Sequence, residues 1–246
     1  MNRRTFVEYL GFSFVMLNSL SSLASVFKTN EKDFLIGKSK TSIFKKTGTH
    51  FLEKETALQF QLMQNAALQD GIEIEIASAF RSFSRQKKIF ESKFEALQKE
   101  NKTALEAIQQ IIRYSSIPGT SRHHWGTEID IIQKIDKNLY KGDVLSTSHF
   151  SKGGAFYNLH LWMQKNAASF GFYLSYTDAK DRTGFLYEPW HYSYLPSSKK
   201  YLKAYLQYNM QDLIQTEKVK GFQALDREFF NNYFTKYILG INPILK

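Results

Sequence analysis

The stretch Ser121-Arg122-His123-His124-Trp125-Gly126-Thr127-Glu128-Ile129-Asp130, continuing into Ile131-Ile132, decides how this chain is read. It sets two histidines and two carboxylates directly before an apolar run. Thr127 to Ile132 reads as a strand, and Asp130 sits inside it. A carboxylate at such a place is costly to bury unless it is paired or bound to a metal. His123 and Asp130 are seven residues apart, an odd spacing that would put them on opposite faces of a straight strand. Gly126 lies between them and can bend the chain, so a loop-borne His123 can face a strand-borne Asp130.

A second dense stretch, Glu188-Pro189-Trp190-His191, lies further along. The chain has no cysteine, which excludes disulfides, thiolate metal sites, a cysteine nucleophile and an acylated-cysteine anchor. A zinc site here must be built from His, Asp and Glu, and a catalytic one uses three protein ligands. His123, Asp130 and His191 are the expected set. Pro189 keeps Glu188 out of the helical region, so this motif is an extended turn entering a strand, unlike the helical H-E-x-x-H pattern, which is absent. Glu188, three residues before a ligand, is placed to act as general base. Trp125 and Trp190 are expected in the core. His50, His124, His149 and His160 lack a comparable context and are left out of the site.

Outward from these motifs the chain alternates between two periodicities. Leu58, Leu62, Met63 and Ala66 share a helical face, with Gly71 as a stop. Ile72-Glu73-Ile74-Glu75-Ile76 alternates as a half-buried strand does. Ser84 is expected to cap a helix whose inner stripe is Ile89, Phe90, Phe94 and Leu97. Thr103-Ala104-Leu105-Glu106 has the form of a capping box, opening a helix that carries Leu105, Ile108, Ile111 and Ile112 inward. Residues 134–154 read as a surface excursion. Leu159, Met163, Ala167 and Phe170 mark a helix, Phe172–Tyr176 and Trp190–Leu195 two more strands, and the chain from Lys199 is mostly helical. Strands scattered among helices without regular βαβ alternation predict an α+β domain with a mainly antiparallel sheet flanked by helices.

The chain has 246 residues and 43% hydrophobic residues, enough for a sizeable core. Its net charge of +10 favours anionic partners. The lysines are scattered, with no nucleic-acid motif, so no nucleic-acid partner is expected. Residues 1–24 read as an export signal, with Arg3 and Arg4 ahead of a short apolar stretch and small residues before a break after Ala24. Asn2-Arg3-Arg4-Thr5-Phe6 is similar to a twin-arginine signal. The expected organisation is signal 1–24, linker 25–48, a main domain 49–195 that carries both motifs and a mostly helical extension 196–246. No stable membrane span is expected in the mature chain.

Ser121-x-His123-x-x-Gly126-x-x-x-Asp130 followed by Glu188-x-Trp190-His191 resembles the signature of the VanY-type D-alanyl-D-alanine carboxypeptidases, zinc peptidases related to VanX-type dipeptidases and sharing their fold with Hedgehog signalling domains. Ala79-Phe80-Arg81-Ser82-Phe83-Ser84-Arg85-Gln86 resembles that family's upstream arginine motif. The resemblance spans roughly Phe51 to Leu195. It implies that His123, Asp130 and His191 bind Zn2+, that Glu188 is the base, that Arg81 meets the substrate carboxylate or the developing oxyanion, and that Ser121 and Gln86 line the substrate site. Two positions depart from it: Glu128 stands where the family often has a small residue, and Phe80 replaces a common tyrosine. The implied function is cleavage of the terminal D-alanine from peptidoglycan stem peptides in the periplasm or cell envelope. An L,D-carboxypeptidase or endopeptidase on the same scaffold, and a non-catalytic wall-binding module, are the alternatives.

Overall fold

The computed structural model describes residues 31–39, 43–214 and 217–246. The expected signal, 1–24, lies outside the described residues, as does part of the expected linker. A hairpin of β1 (Phe44–Thr47) and β2 (His50–Glu53) leads into α1 (Lys54–Gln69). Then follow β3 (Ile74–Ser78), α2 (Phe83–Lys99), α3 (Ala104–Ile111), β4 (Glu128–Gln133), α4 (Tyr157–Asn166), β5 (Phe172–Leu174), β6 (His191–Tyr194), α5 (Leu195–Tyr205) and α6 (Arg227–Tyr233). The main sheet has the order β3-β4-β6-β5, and every neighbouring pair is antiparallel. This is the α+β architecture that the sequence predicts. Among the described residues no helix is long and apolar enough to cross a membrane.

Strand alternation builds the sheet as expected. Ile72, Ile74 and Ile76 are buried while Glu73 and Glu75 face solvent. In β4, Ile129 and Ile131 enter a core shared with α1, α4 and the strand neighbours Tyr192 and Tyr194. Glu128 and Asp130 therefore point to the opposite face. That face is covered too, because Glu128 is 0% and Asp130 4% exposed.

The helices differ from expectation in their faces and ends. In α1 the buried stripe is Ala57, Phe60, Met63 and Ala67, whereas Leu58 and Leu62 are exposed. This helix carries apolar residues on more than one side. The ring of Phe60, fully buried and worth about 1.5–3 kcal/mol, sets its rotation. Ser82, not Ser84, caps α2, accepting from the Arg85 amide at 3.2 Å. The capping box of α3 forms as predicted, with Thr103 and Glu106 bonded reciprocally, but Leu105 faces out and Ala107 takes its place inside.

The C-terminal residues join a second core rather than trailing from the first. Leu202, Tyr205, Phe230, Tyr233, Tyr237, Ile241 and Leu245 pack with Phe90, Phe94 and Ile108 of α2 and α3. They also hold the turn that precedes β4. The Tyr233 hydroxyl accepts from the Ile117 amide (3.1 Å) and lies 3.0 Å from Thr120 Oγ1, and the Tyr205 hydroxyl donates to the Gly119 carbonyl (3.1 Å).

Between that turn and β4 the chain makes a single 3-10 turn, Arg122–Trp125, closed by Gly126 in the left-handed region at φ 70°. A Cβ at Gly126 would run into the Phe44 ring and come within 3.0 Å of the Glu53 nitrogen. The left-handed backbone alone costs a non-glycine residue about 1–2 kcal/mol. Gly126→Ala should therefore lower the unfolding free energy by at least that much, read as a lower denaturant midpoint at an unchanged m-value. A midpoint equal to the parent's would contradict this placement of the bend.

Candidate metal centre

Sheet register brings the two motifs together. Asp130 of β4 is directly opposite His191 of β6, and Ser78 of β3 is opposite Asp130 on the other side. Directly paired residues on one face of a sheet have Cβ atoms about 5 Å apart. The 3-10 turn then swings His123 over the same face. One ligand atom from each of His123, Asp130 and His191 lies within 4.8 Å of the others, and all three residues are buried. His123 Nε2 is 3.4 Å from Asp130 Oδ2, and His191 Nδ1 is 3.4 Å from Asp130 Oδ1.

Backbone contacts orient each imidazole. His123 Nδ1 is 2.8 Å from the Ala79 carbonyl, which can only accept. Nδ1 therefore carries the hydrogen and the lone pair of Nε2 faces Asp130. Ala79 directly follows β3, whose register shifts between Ile76 and Ser78. The Arg81 amide in turn donates to the His123 carbonyl at 3.0 Å, tying the arginine motif to the 3-10 turn. His191 Nε2 lies 2.9 Å from Glu128 Oε2, and Nδ1 lies 3.0 Å from Glu188 Oε2. A turn closed by the His191 amide on the Glu188 carbonyl holds that carboxylate over the ring.

Burial and charge oppose each other here. Burial disfavours the charged form of Asp130, yet His123, His191 and Arg81 hold its carboxyl below the usual carboxylate range. Burial also disfavours the imidazolium of His191, but Asp130, Glu128 and Glu188 outweigh it and push its pKa up to about 10. Burial lowers the pKa of His123. Asp130 Oδ1 is buried without a hydrogen-bond partner among the described residues. The carboxylates of Asp130, Glu128 and Glu188 converge on a site whose nearby fixed cations are Arg81 and Arg122. An orphaned carboxylate oxygen with two imidazoles converging on it fits a bound divalent cation, which would take the place of the proton that keeps His191 charged.

The site opens into a cleft of about 640 Å³. Glu188, Arg81, Ser121 and Trp190 all line it. Arg81 is clamped from behind, donating from Nη1 to Gln86 Oε1 (2.8 Å) and from Nη2 to Ser78 Oγ (3.0 Å). Gln86 is itself fully buried and donates to the Ser116 carbonyl at 2.7 Å. It braces Arg81 from below the cleft floor rather than standing on the cleft wall. His124, left out of the site, is a brace as well: its Nε2 accepts from the Gly119 amide (3.1 Å), and burial drives its pKa down to about 3. Trp125 is buried as expected, its indole donating to the Leu35 carbonyl at 3.0 Å.

One set of residues near the site escapes sequence reasoning, and of another only the role does. Asp143, Leu145, Ser146 and Thr147 form one wall of the cleft, although nothing in the polar 134–154 excursion marks them. Glu128 is fully buried against His191. Its i, i+2 relation to Asp130 predicts the shared face, but its partner becomes visible only once β4 and β6 are paired.

A profile of the family described as VanY: D-alanyl-D-alanine carboxypeptidase matches residues 49–197. A putative carboxypeptidase, YodJ, of Bacillus subtilis is 31% identical over 164 residues, which cover 66% of this chain and 53% of the relative. A D-alanyl-D-alanine carboxypeptidase of Enterococcus faecalis is 29% identical over 136 residues, 53% of this chain and 43% of the relative. The chain thus spans about half the length of the curated relatives it matches. Among solved structures, VanYB in complex with D-alanine-D-alanine superposes with a TM-score of 0.51 at 23% identity, covering 73% of this chain and 92% of that one. That likeness carries the fold.

Purified chain should hold about one divalent ion, removable by chelation, and Asp130→Ala should hold none. Adding the ion back at a hundredfold excess over its Kd should stabilise the parent by about 2.7 kcal/mol. Elemental analysis and thermal unfolding with and without metal check this; an Asp130→Ala chain that retains a full equivalent would sink the ligand assignment.

Proposed function

Because the chain belongs to the VanY D-alanyl-D-alanine carboxypeptidase family, we propose that it is a zinc-dependent D,D-carboxypeptidase that removes the terminal D-alanine from peptidoglycan stem peptides in the cell envelope. The observation that carries this reading is the convergence in one cleft of a buried His123–Asp130–His191 set, the Glu188 carboxylate and the Arg81 guanidinium. In this reading residues 49–195 form the peptidase unit, 196–246 a helical extension and 1–24 a removable export signal.

His123, Asp130 and His191 would hold the zinc. The chemistry that zinc supplies when bound is Lewis acidity, which polarises a carbonyl oxygen and makes water easier to deprotonate. Glu188 hangs beside the ligand set with a partly exposed carboxylate, its side chain 18% accessible. It is placed to take a proton from the attacking water as the new C–O bond forms. It would then return that proton to the nitrogen as the scissile C–N bond breaks, releasing D-alanine with a neutral or protonated amine. Arg81 is pinned by Gln86 and Ser78 through one hydrogen of each terminal nitrogen, so its cleft-facing edge is preoriented for the free carboxylate that distinguishes a C-terminal residue. Ser121, 2% exposed at the cleft wall, is offered as a further substrate contact, with Gln86 acting through Arg81.

Three measurements test the proposal. Glu188→Gln should retain its zinc and lose about 10²–10⁴-fold in kcat on a defined pentapeptide stem; hydrolysis at the parent rate would rule out Glu188 as the base. Arg81→Met should raise KM by about 10–100-fold for the free acid and leave an amidated stem unaffected. Product analysis on defined muropeptides identifies the bond, since loss of anything other than the terminal D-alanine would replace the D,D assignment.

A further inference from the structure

Glu128 is a buried carboxylate beside the metal-site residues that the proposed reaction does not use, and it is densely bonded. Its side chain is 0% accessible. Oε1 lies 3.1 Å from Arg122 Nη2 and accepts from Ser193 Oγ (2.7 Å) and Thr127 Oγ1 (3.2 Å). Oε2 accepts from Ser175 Oγ (2.9 Å) and lies 2.9 Å from His191 Nε2. Ser193 sits directly opposite Glu128 in the β4–β6 ladder, so this pocket is built by the same register that pairs Asp130 with His191.

We infer that Glu128 is a positioning residue for the metal centre, holding His191 with its hydrogen on Nε2 so that Nδ1 is the ligand nitrogen. This rests on the reading of His123, Asp130 and His191 as the zinc site. An ionised carboxylate only accepts, so the imidazole must donate to it from Nε2. Nδ1 lies 3.4 Å from Asp130 and 3.0 Å from Glu188, so when a cation displaces the proton shared there, the lone pair left free is the one on Nδ1. With its hydrogen on Nδ1 instead, His191 would set a lone pair against Glu128 and a hydrogen where a cation should bind. The Tyr176 ring packs edge-on against the imidazole at 4.8 Å and limits its tilt. Stability alone gives a weak reason for the arrangement, because a buried carboxylate–arginine pair is often no better than apolar residues of the same volume. Ligand orientation gives a strong one, since carboxylates bonded to the far nitrogen of a ligating histidine set its tautomer and raise its basicity.

The test uses the full chain. Zinc affinity is measured by competition with a chromophoric chelator for the parent, Glu128→Gln and Glu128→Leu, and unfolding of each zinc-free chain is recorded separately. Both variants should bind zinc about 10–100-fold more weakly, whatever their zinc-free unfolding midpoints. A purely structural role would move the midpoint and leave the affinity of the folded chain at the parental value, which would overturn the inference. Long-range ¹⁵N–¹H spectra of the zinc-loaded parent need no variant: the hydrogen of His191 should appear on Nε2. Zinc on Nε2 would overturn this inference alone, whereas a parent chain that binds no zinc would overturn the metal-site reading and this inference together.

Discussion

The antiparallel register of β4 on β6 is the constraint from which the rest of the site follows. It sets Asp130 opposite His191 and Glu128 opposite Ser193. One alternation of side chains thus sends two acids to the site face while Ile129 and Ile131 fill the core behind them. A slip of one residue would exchange these faces, putting both carboxylates into the hydrocarbon core and the isoleucines beneath the cleft. The cost of burying unpaired carboxylates makes that alternative prohibitive, so the acids of β4 guard the register as well as furnish the site.

Much of this was legible beforehand because it is local. Alternation at Ile72–Ile76, the Thr103–Glu106 capping box and the bend at Gly126 depend on residues a few positions apart. Asp130 stood out because an acid in an apolar strand demands an explanation wherever that strand lies. The two motifs were joined by chemical type, since a cysteine-free zinc site needs His and carboxylate. Other features depend on what packs against what. The rotation of α1 followed Phe60 rather than Leu58 and Leu62, because several apolar stripes were available and only the sheet decides among them. Gln86 sits behind Arg81 because α2 is capped by Ser82, two residues earlier than a Ser84 cap would place it. Glu128 read as an ambiguous neighbour because its meaning resides in Ser175, Arg122 and His191, residues scattered along the chain and gathered by the fold.

The arginines divide the electrostatic work. Arg122 is buried against Glu128 and stacks over the Trp125 ring at 5.0 Å, so part of its charge is balanced within the protein. Arg81 keeps an edge in the cleft, held 3.9 Å from Asp130. Both begin from the same 3-10 region, since the Arg81 amide bonds to the His123 carbonyl and Arg122 lies within the turn. Moving that turn would therefore displace a ligand and both balancing charges together.

The tyrosine hydroxyls at Tyr205 and Tyr233 give the C-terminal segment a consequence in time. They grip residues 117–120, the turn that delivers His123, yet they are among the later residues to be synthesised. A nascent chain ending near residue 195 already contains every proposed ligand, base and anion clamp, but not the groups that anchor the turn beneath them. Completion of the site is thereby coupled to synthesis of Tyr205 and Tyr233, so a polypeptide caught before them carries the full set of proposed reactive side chains without the groups that anchor the turn.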